Sequence, residues 1–227
     1  MDWSALTLSL KLAGWTVIIL LPLGIWAGHA LAAHQFRGKA WVEALLALPL
    51  VLPPTVLGYY LLVAMGDASP VGQLYESLFG RTLVFSFEGL LLASVIFNIP
   101  FAIQPMQRGF EAIAPEVRDA AACCGLSRWR TLWRIELPLA WPGILSAVVL
   151  TFAHTLGEFG VVLMVGGNIP GETRTLATSI YDRTQAFDDA AAGTMSLALL
   201  GFALVTVSVV YAVERRRRAP KVPGRLA

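Results

Sequence analysis

The chain has 227 residues, of which 56% are apolar and 14% charged. Soluble domains of this length carry about 25% charge, so the deficit argues against a water-soluble globule and for lipid as solvent. The formal net charge of +2 says little by itself, because the placement of charge along the chain matters more than its sum.

In chain order, five stretches are long and apolar enough to cross a bilayer: Leu12–Ala33, Ala44–Met65, Gly89–Met106, Leu139–Gly157 and Thr194–Val213. None contains Asp, Glu, Lys or Arg. Roughly 20 helical residues at about 1.5 Å rise cover a hydrocarbon core of about 30 Å. The predicted fold class is therefore an all-α integral membrane protein with five transmembrane helices. A transmembrane unit over residues 1–213 is followed by a basic tail, 214–227. Ala30-Leu31-Ala32 resembles a signal-cleavage site, but the apolar run before it exceeds the roughly 7–15 residues of a signal core, which predicts a retained anchor helix. The adjacent Cys123 and Cys124 imply no disulfide framework.

Lys and Arg fall unequally on the two sides of these spans. The loops after the first and third spans and the tail hold 13, including Arg215 to Arg218, whereas the opposite side holds Lys11, Arg81, Arg174 and Arg183. Basic residues are retained in the cytoplasm, which predicts a periplasmic N-terminus and a cytoplasmic C-terminus in an inner membrane. Directly after an apolar span, the tail suits anionic membrane lipid rather than nucleic acid.

The longest inward loop, Gln107–Pro138, carries the most information. Pro115 fits a first helical position, and the residues through Cys124 continue a short helix. Gly125 fits a left-handed stop. Ser127 can cap a second short helix, Arg128–Leu137, which Pro138 would end before the fourth span. Trp129, Leu132 and Trp133 share one apolar face. Such a helix–Gly–helix elbow suits close docking by another protein, and it equally suits a helix pair lying on the membrane surface.

Asp119-Ala120-Ala121, Gly125 four residues on, then Ile135-Glu136-Leu137-Pro138 resembles the signature of inner-membrane permeases of ATP-binding-cassette importers. The family pattern is Glu-Ala-Ala, three residues, Gly, nine residues, Ile, any residue, Leu-Pro; only Asp119 departs from it, keeping the charge. The resemblance implies that the elbow is a cytoplasmic coupling loop seated in a separate ATPase subunit. Ala120, Ala121 and Gly125 would be the close-packing surface and Asp119 a polar contact or cap. Ile135, Leu137 and Pro138 would tie the elbow to the fourth span. The chain has no Gly-x-x-x-x-Gly-Lys-Ser/Thr loop of its own. It is accordingly expected to be a transport subunit rather than an enzyme and to bind no cofactor, with ATP and Mg²⁺ handled by the partner. A second copy of the chain and a periplasmic binding protein complete the implied assembly.

Two further stretches resemble the molybdate branch of that family: Leu48-Pro49-Leu50-Val51-Leu52-Pro53-Pro54 with Gly58-Tyr59, and Leu156-Gly157-Glu158-Phe159-Gly160 with Gly167 to Thr175. Sulfate permeases share parts of the second, and nothing in the sequence separates tungstate from molybdate. Prolines free backbone carbonyls at membrane depth, which is tolerated only beside protein or a water-filled cavity. Pro53, Pro54, Thr55, Asn98 and Glu158 are thus candidates for the translocation route or gate; a kinked packing helix and an interhelical hydrogen bond are the plainer alternatives. Asn168 and Arg174 are candidates for the periplasmic mouth, Arg174 either as a contact for anion or binding protein or as an ion-pair partner of Glu172 or Asp182. The predicted outer side carries a formal −5, so capture of an oxyanion calls for a soluble binding protein. His154 and Glu158, four apart, would share a helix face and offer a proton relay, the basis for a rival secondary transporter. No metal-ligating pattern and no convincing nucleophile is present.

Overall fold

The computed structural model describes residues 2–218, and all regular elements among them are helical. Asp2 starts helix α1, Trp3–Ala33, by accepting the Ala5 N–H at 3.0 Å. The second expected crossing, Ala44–Met65, is not one straight helix. It divides into α2, Lys39–Val51, and α3, Pro54–Met65, bent by 107°. The break follows from the proline pair. Leu52, before Pro53, is held extended at φ −71° and ψ 137°, and Pro54 begins α3 where its missing N–H is not needed. Pro49 stays inside α2.

Helix α4, Pro70–Phe79, leads to α5, Phe87–Glu111, which continues past Met106 and delays the start of the long loop. The elbow begins with α6, Pro115–Cys123. Its second arm is α7, Arg128–Thr131, joined through a π-helical turn, Leu132–Glu136, to α8, Leu137–Gly157. Contrary to the sequence expectation, Pro138 ends nothing. Helical backbone is continuous from Arg128 to Gly157. The Leu137 N–H reaches back to the Leu132 carbonyl, and this widened turn relieves the clash that the Pro138 ring would make with the carbonyl four residues earlier.

The remaining helices are α9, Gly160–Gly166, α10, Leu176–Gln185, and α11, Asp189–Arg218. Helix α11 passes unbroken through the expected boundary at 213/214; residues 219–227 of the basic tail lie outside the described residues. Among the described residues, four helices are long and apolar enough to cross a membrane, and the bent α2–α3 pair makes a fifth crossing if taken as one span.

Helices α1, α5 and α8 form the centre of the bundle, and small residues let them approach closely. A Cβ at Gly28 would lie 2.9 Å from the Gln107 nitrogen, and one at Gly143 would lie 2.5 Å from the Pro105 carbonyl. One apolar cluster, Met106, Phe110, Ile113, Ala140, Ile144 and Ala147, sits beneath the elbow. A second, built on Leu61, Met65, Phe97, Val161 and Val165, fills the opposite, far end. Helix α11 packs along α8 and α10 but buries only 11% of its apolar window.

Candidate functional site: the elbow and the far-end contact

The elbow's turn is held by its own backbone. Gly125 has φ +72°, a conformation costly for any side chain. The Leu126 N–H donates to the Ala121 carbonyl at 3.1 Å and the Gly125 N–H to the Ala122 carbonyl at 2.9 Å. This paired closure satisfies carbonyls left open at the helix end. Ser127 then accepts the Arg130 N–H to start the second arm.

The expected docking residues divide by exposure. Asp119, Ala120 and Gly125 are exposed, and Gly125 has no atom within 4 Å of where a Cβ would sit. Ala121 is only 4% exposed and is spent inside the elbow itself. Asp119 lies mid-helix, so of its two expected roles the cap is excluded and the polar contact remains. Leu137 packs with Val117 and Leu132 against the cluster around Phe110, Ile135 is half-buried, and Pro138 is exposed. Trp129 and Trp133 are exposed and meet edge to face at 5.6 Å. Both cysteines are free and exposed.

Sequence reasoning passed over Glu136, the variable residue of the Ile-x-Leu-Pro segment. Its carboxylate is buried and accepts from His29 Nε2 of α1 at 2.9 Å and from Arg118 Nε of α6. Arg118 also donates to the Phe110 carbonyl at 3.2 Å. The available signal was a lone carboxylate among apolar neighbours, since a buried charge requires partners.

At the far end, the two stretches singled out separately in the sequence come together. A Cβ at Gly160 would lie 2.8 Å from the Pro54 Cβ, and one at Gly58 would lie 2.9 Å from the Met164 Cβ. Pro53, Pro54 and Thr55 are otherwise exposed at the bend between α2 and α3. Glu158 is buried, and its carboxylate accepts the Val161 N–H at 3.0 Å, compensating the open N-terminus of α9. Helix α8 stops at Gly157 and Glu158 is extended, so His154 and Glu158 do not share a helix face.

His154 instead joins Asn98. The Asn98 amide oxygen accepts from His154 Nδ1 at 3.1 Å, while its nitrogen donates to the Ser94 carbonyl at 2.8 Å. Asn98 is fully buried, and Phe101 stacks on the His154 ring at 3.9 Å. The pair ties α5 to α8, as the interhelical alternative supposed. Asn168, at φ +57°, donates to Asp182 at 2.8 Å, and Arg174 pairs with the same carboxylate at 3.3 Å. Arg174 also donates to the Asn168 oxygen at 3.2 Å, so of its two expected roles the ion pair with Asp182 is the one observed.

Residues 20–219 match the family model described as binding-protein-dependent transport system inner membrane component. The chain is 44% identical over 214 residues to the molybdenum transport system permease protein ModB of Azotobacter vinelandii, covering 94% of this chain and 95% of that one. Against ModB of Escherichia coli K12 it is 37% identical, covering 99% and 97%. A sulfate transport system permease protein of Synechococcus elongatus is 32% identical, covering 88% of this chain and 71% of that protein. Among solved structures, a bacterial ABC transporter that imports alginate superposes with a TM-score of 0.70 at 18% identity, covering 96% of this chain and 79% of that one, a likeness of fold. The full-length match, together with an exposed elbow closing one end of a membrane bundle, establishes that the chain belongs to the family of binding-protein-dependent transport system inner membrane components.

Proposed function

We propose that this chain is the permease subunit of an ATP-driven importer of molybdate. The observation that carries the importer reading is the elbow: Asp119, Ala120 and Gly125 are presented outward at the end of a membrane bundle. Molybdate is preferred over sulfate because the ModB relatives match at 44% and 37% identity over nearly their whole length, against 32% over 71% of the sulfate permease.

In this reading two copies pair in the inner membrane, with N-termini periplasmic and elbows cytoplasmic, and each elbow sits in a separate ATPase subunit. ATP and Mg²⁺ are bound and hydrolysed there, and a periplasmic binding protein delivers the anion. ATP drives the cycle through its unequal affinity for two arrangements of the assembly. The contact of α3 with α9, carrying Pro54 and Glu158, lies along the route, and Asn168 and Arg174 lie at its periplasmic mouth. The test is reconstitution of the chain with its ATPase and binding protein in liposomes. Molybdate-stimulated ATP hydrolysis with molybdate uptake is expected, competed by tungstate and weakly by sulfate. Uptake by the chain without an ATPase would overturn the reading.

A further inference from the structure

The elbow's first arm is poorly attached to the body it is meant to move. Helix α6 is bounded by the short connection 112–114 on one side and the Gly125 turn on the other. Most of its surface is exposed. Of its apolar side chains, Val117 joins the cluster around Phe110 and Ala121 is buried. A force applied at Asp119 or Ala120 would therefore swing such an arm about its two ends unless something else fixed it.

That fixing comes from Glu136. The residue is the last of the π-helical turn, where the widened backbone sets its carboxylate inward, and π turns recur at functional positions. Each carboxylate oxygen has its own cationic or ring partner on a different element: Oε2 faces His29 on α1 and Oε1 faces Arg118 on α6. Arg118 extends the connection to the Phe110 carbonyl at the end of α5, and the His29 ring stands edge-on to the buried Phe110 ring at 5.2 Å. One carboxylate, 4% exposed, thus joins α1, α5, α6 and the start of α8. A buried, fully partnered ionic group contributes little net stability compared with apolar packing, but it permits one arrangement and penalises others.

We propose that Glu136 is a positioning residue of the transport cycle: its carboxylate, between His29 and Arg118, makes the elbow and the α1–α5–α8 bundle move as one body, so that ATPase motion reaches the spans. The proposal rests on the importer reading, not on the identity of the anion. It is tested in the liposome assembly with partner ATPase and binding protein, measuring molybdate transported per ATP hydrolysed. Glu136→Ala is expected to retain ATP hydrolysis while this ratio falls by about fivefold or more. Arg118→Ala should lower it in the same direction, and the double variant should be no worse than Glu136→Ala, since the two act through one contact. Glu136→Gln, which keeps the shape and part of the hydrogen bonding, should restore part of the ratio.

An unchanged ratio in Glu136→Ala, or additive losses in the double variant, overturns the proposal. Less assembled complex at an unchanged ratio marks a structural role only and also overturns it. Should Glu136→Ala fail to assemble, the ratio in assembled Arg118→Ala and Glu136→Gln complexes decides in the same way. Absence of molybdate uptake by the unaltered assembly would instead count against the substrate reading. The ratios would then be measured with tungstate or sulfate.

Discussion

At the elbow, Gly125 has no atom within 4 Å of the place a Cβ would occupy, whereas at the far end Gly160 and Gly58 would bring theirs to 2.8 and 2.9 Å from Pro54 and Met164. The same residue type therefore does two jobs. At Gly125 it permits a left-handed turn and leaves the surface bare; at Gly58 and Gly160 it lets α3 and α9 touch. The carboxylates differ in parallel. Asp119 is exposed on α6, while Glu158 is buried and takes a backbone N–H of α9. The glycine contacts of α3 with α9 are filled within one chain, whereas the elbow's glycine presents bare surface.

Substitutions that add bulk should separate the two regions. The largest effect is expected for Gly125→Asp. It places a side chain at φ +72° and fills the bare surface, so uptake by the reconstituted assembly should fall by tenfold or more, about 1.4 kcal/mol or above in coupling. The loss in uptake should exceed what the strain at this backbone, about 1 kcal/mol, removes from the stability of the isolated subunit. Gly160→Val should do the reverse first, lowering thermal stability in detergent by about 1–3 kcal/mol because the new side chain meets Pro54. If both variants lost uptake and stability in the same proportion, the contrast between a bare and a filled glycine would fail.

Asn98→Ala probes the polar contact inside the bundle. Losing the bond to His154 should cost about 1 kcal/mol, read from thermal unfolding, with His154→Ala in the Asn98→Ala background costing less than His154→Ala alone. The smallest effect concerns Asp2, at the far end. The Ala5 N–H, with Ser4 and Ser179, holds its carboxyl below the usual carboxylate range. Its contribution is therefore present above the unfolded value of about 3.9 and fades as pH falls through the lower folded one. The stability difference between the unaltered chain and Asp2→Asn, a few tenths to about 1 kcal/mol, should vanish on acidification through that range. A difference that persisted at the lowest pH would remove the carboxylate from the cap.

Much of this was readable in the sequence because it depends on local chemistry. Pro115, Gly125 and Ser127 each impose a backbone geometry on their own neighbourhood, and the helix start, the turn and the cap fall on those residues. Apolar length likewise located α1, α5, α8 and α11. What depended on contacts between distant residues was not readable. Pro138 looked like a stop because proline usually is one, yet the π turn before it accommodates the ring. The spacing of His154 and Glu158 suggested one face, but the helix ends between them. Glu136 occupied the variable place in the elbow motif, and only the fold, by bringing residues 29, 118 and 136 together, gives it partners. The residues expected along a route divide by burial in a way the sequence did not reveal: Pro54 and Thr55 lie at an exposed bend, whereas Asn98 is sealed between helices.

The uninterrupted run from Arg128 to Gly157 has a mechanical corollary. Thirty helical residues make a rod of about 45 Å, stiff along its axis, with one end in the elbow and the other abutting the Glu158 corner. No loop interrupts the run between the second arm and the span, so bending there is confined to the π turn, Pro138 and Pro142. Displacement of the lower end that these points do not take up emerges at the opposite extremity, next to the Pro54–Gly160 seam, as tilt or travel.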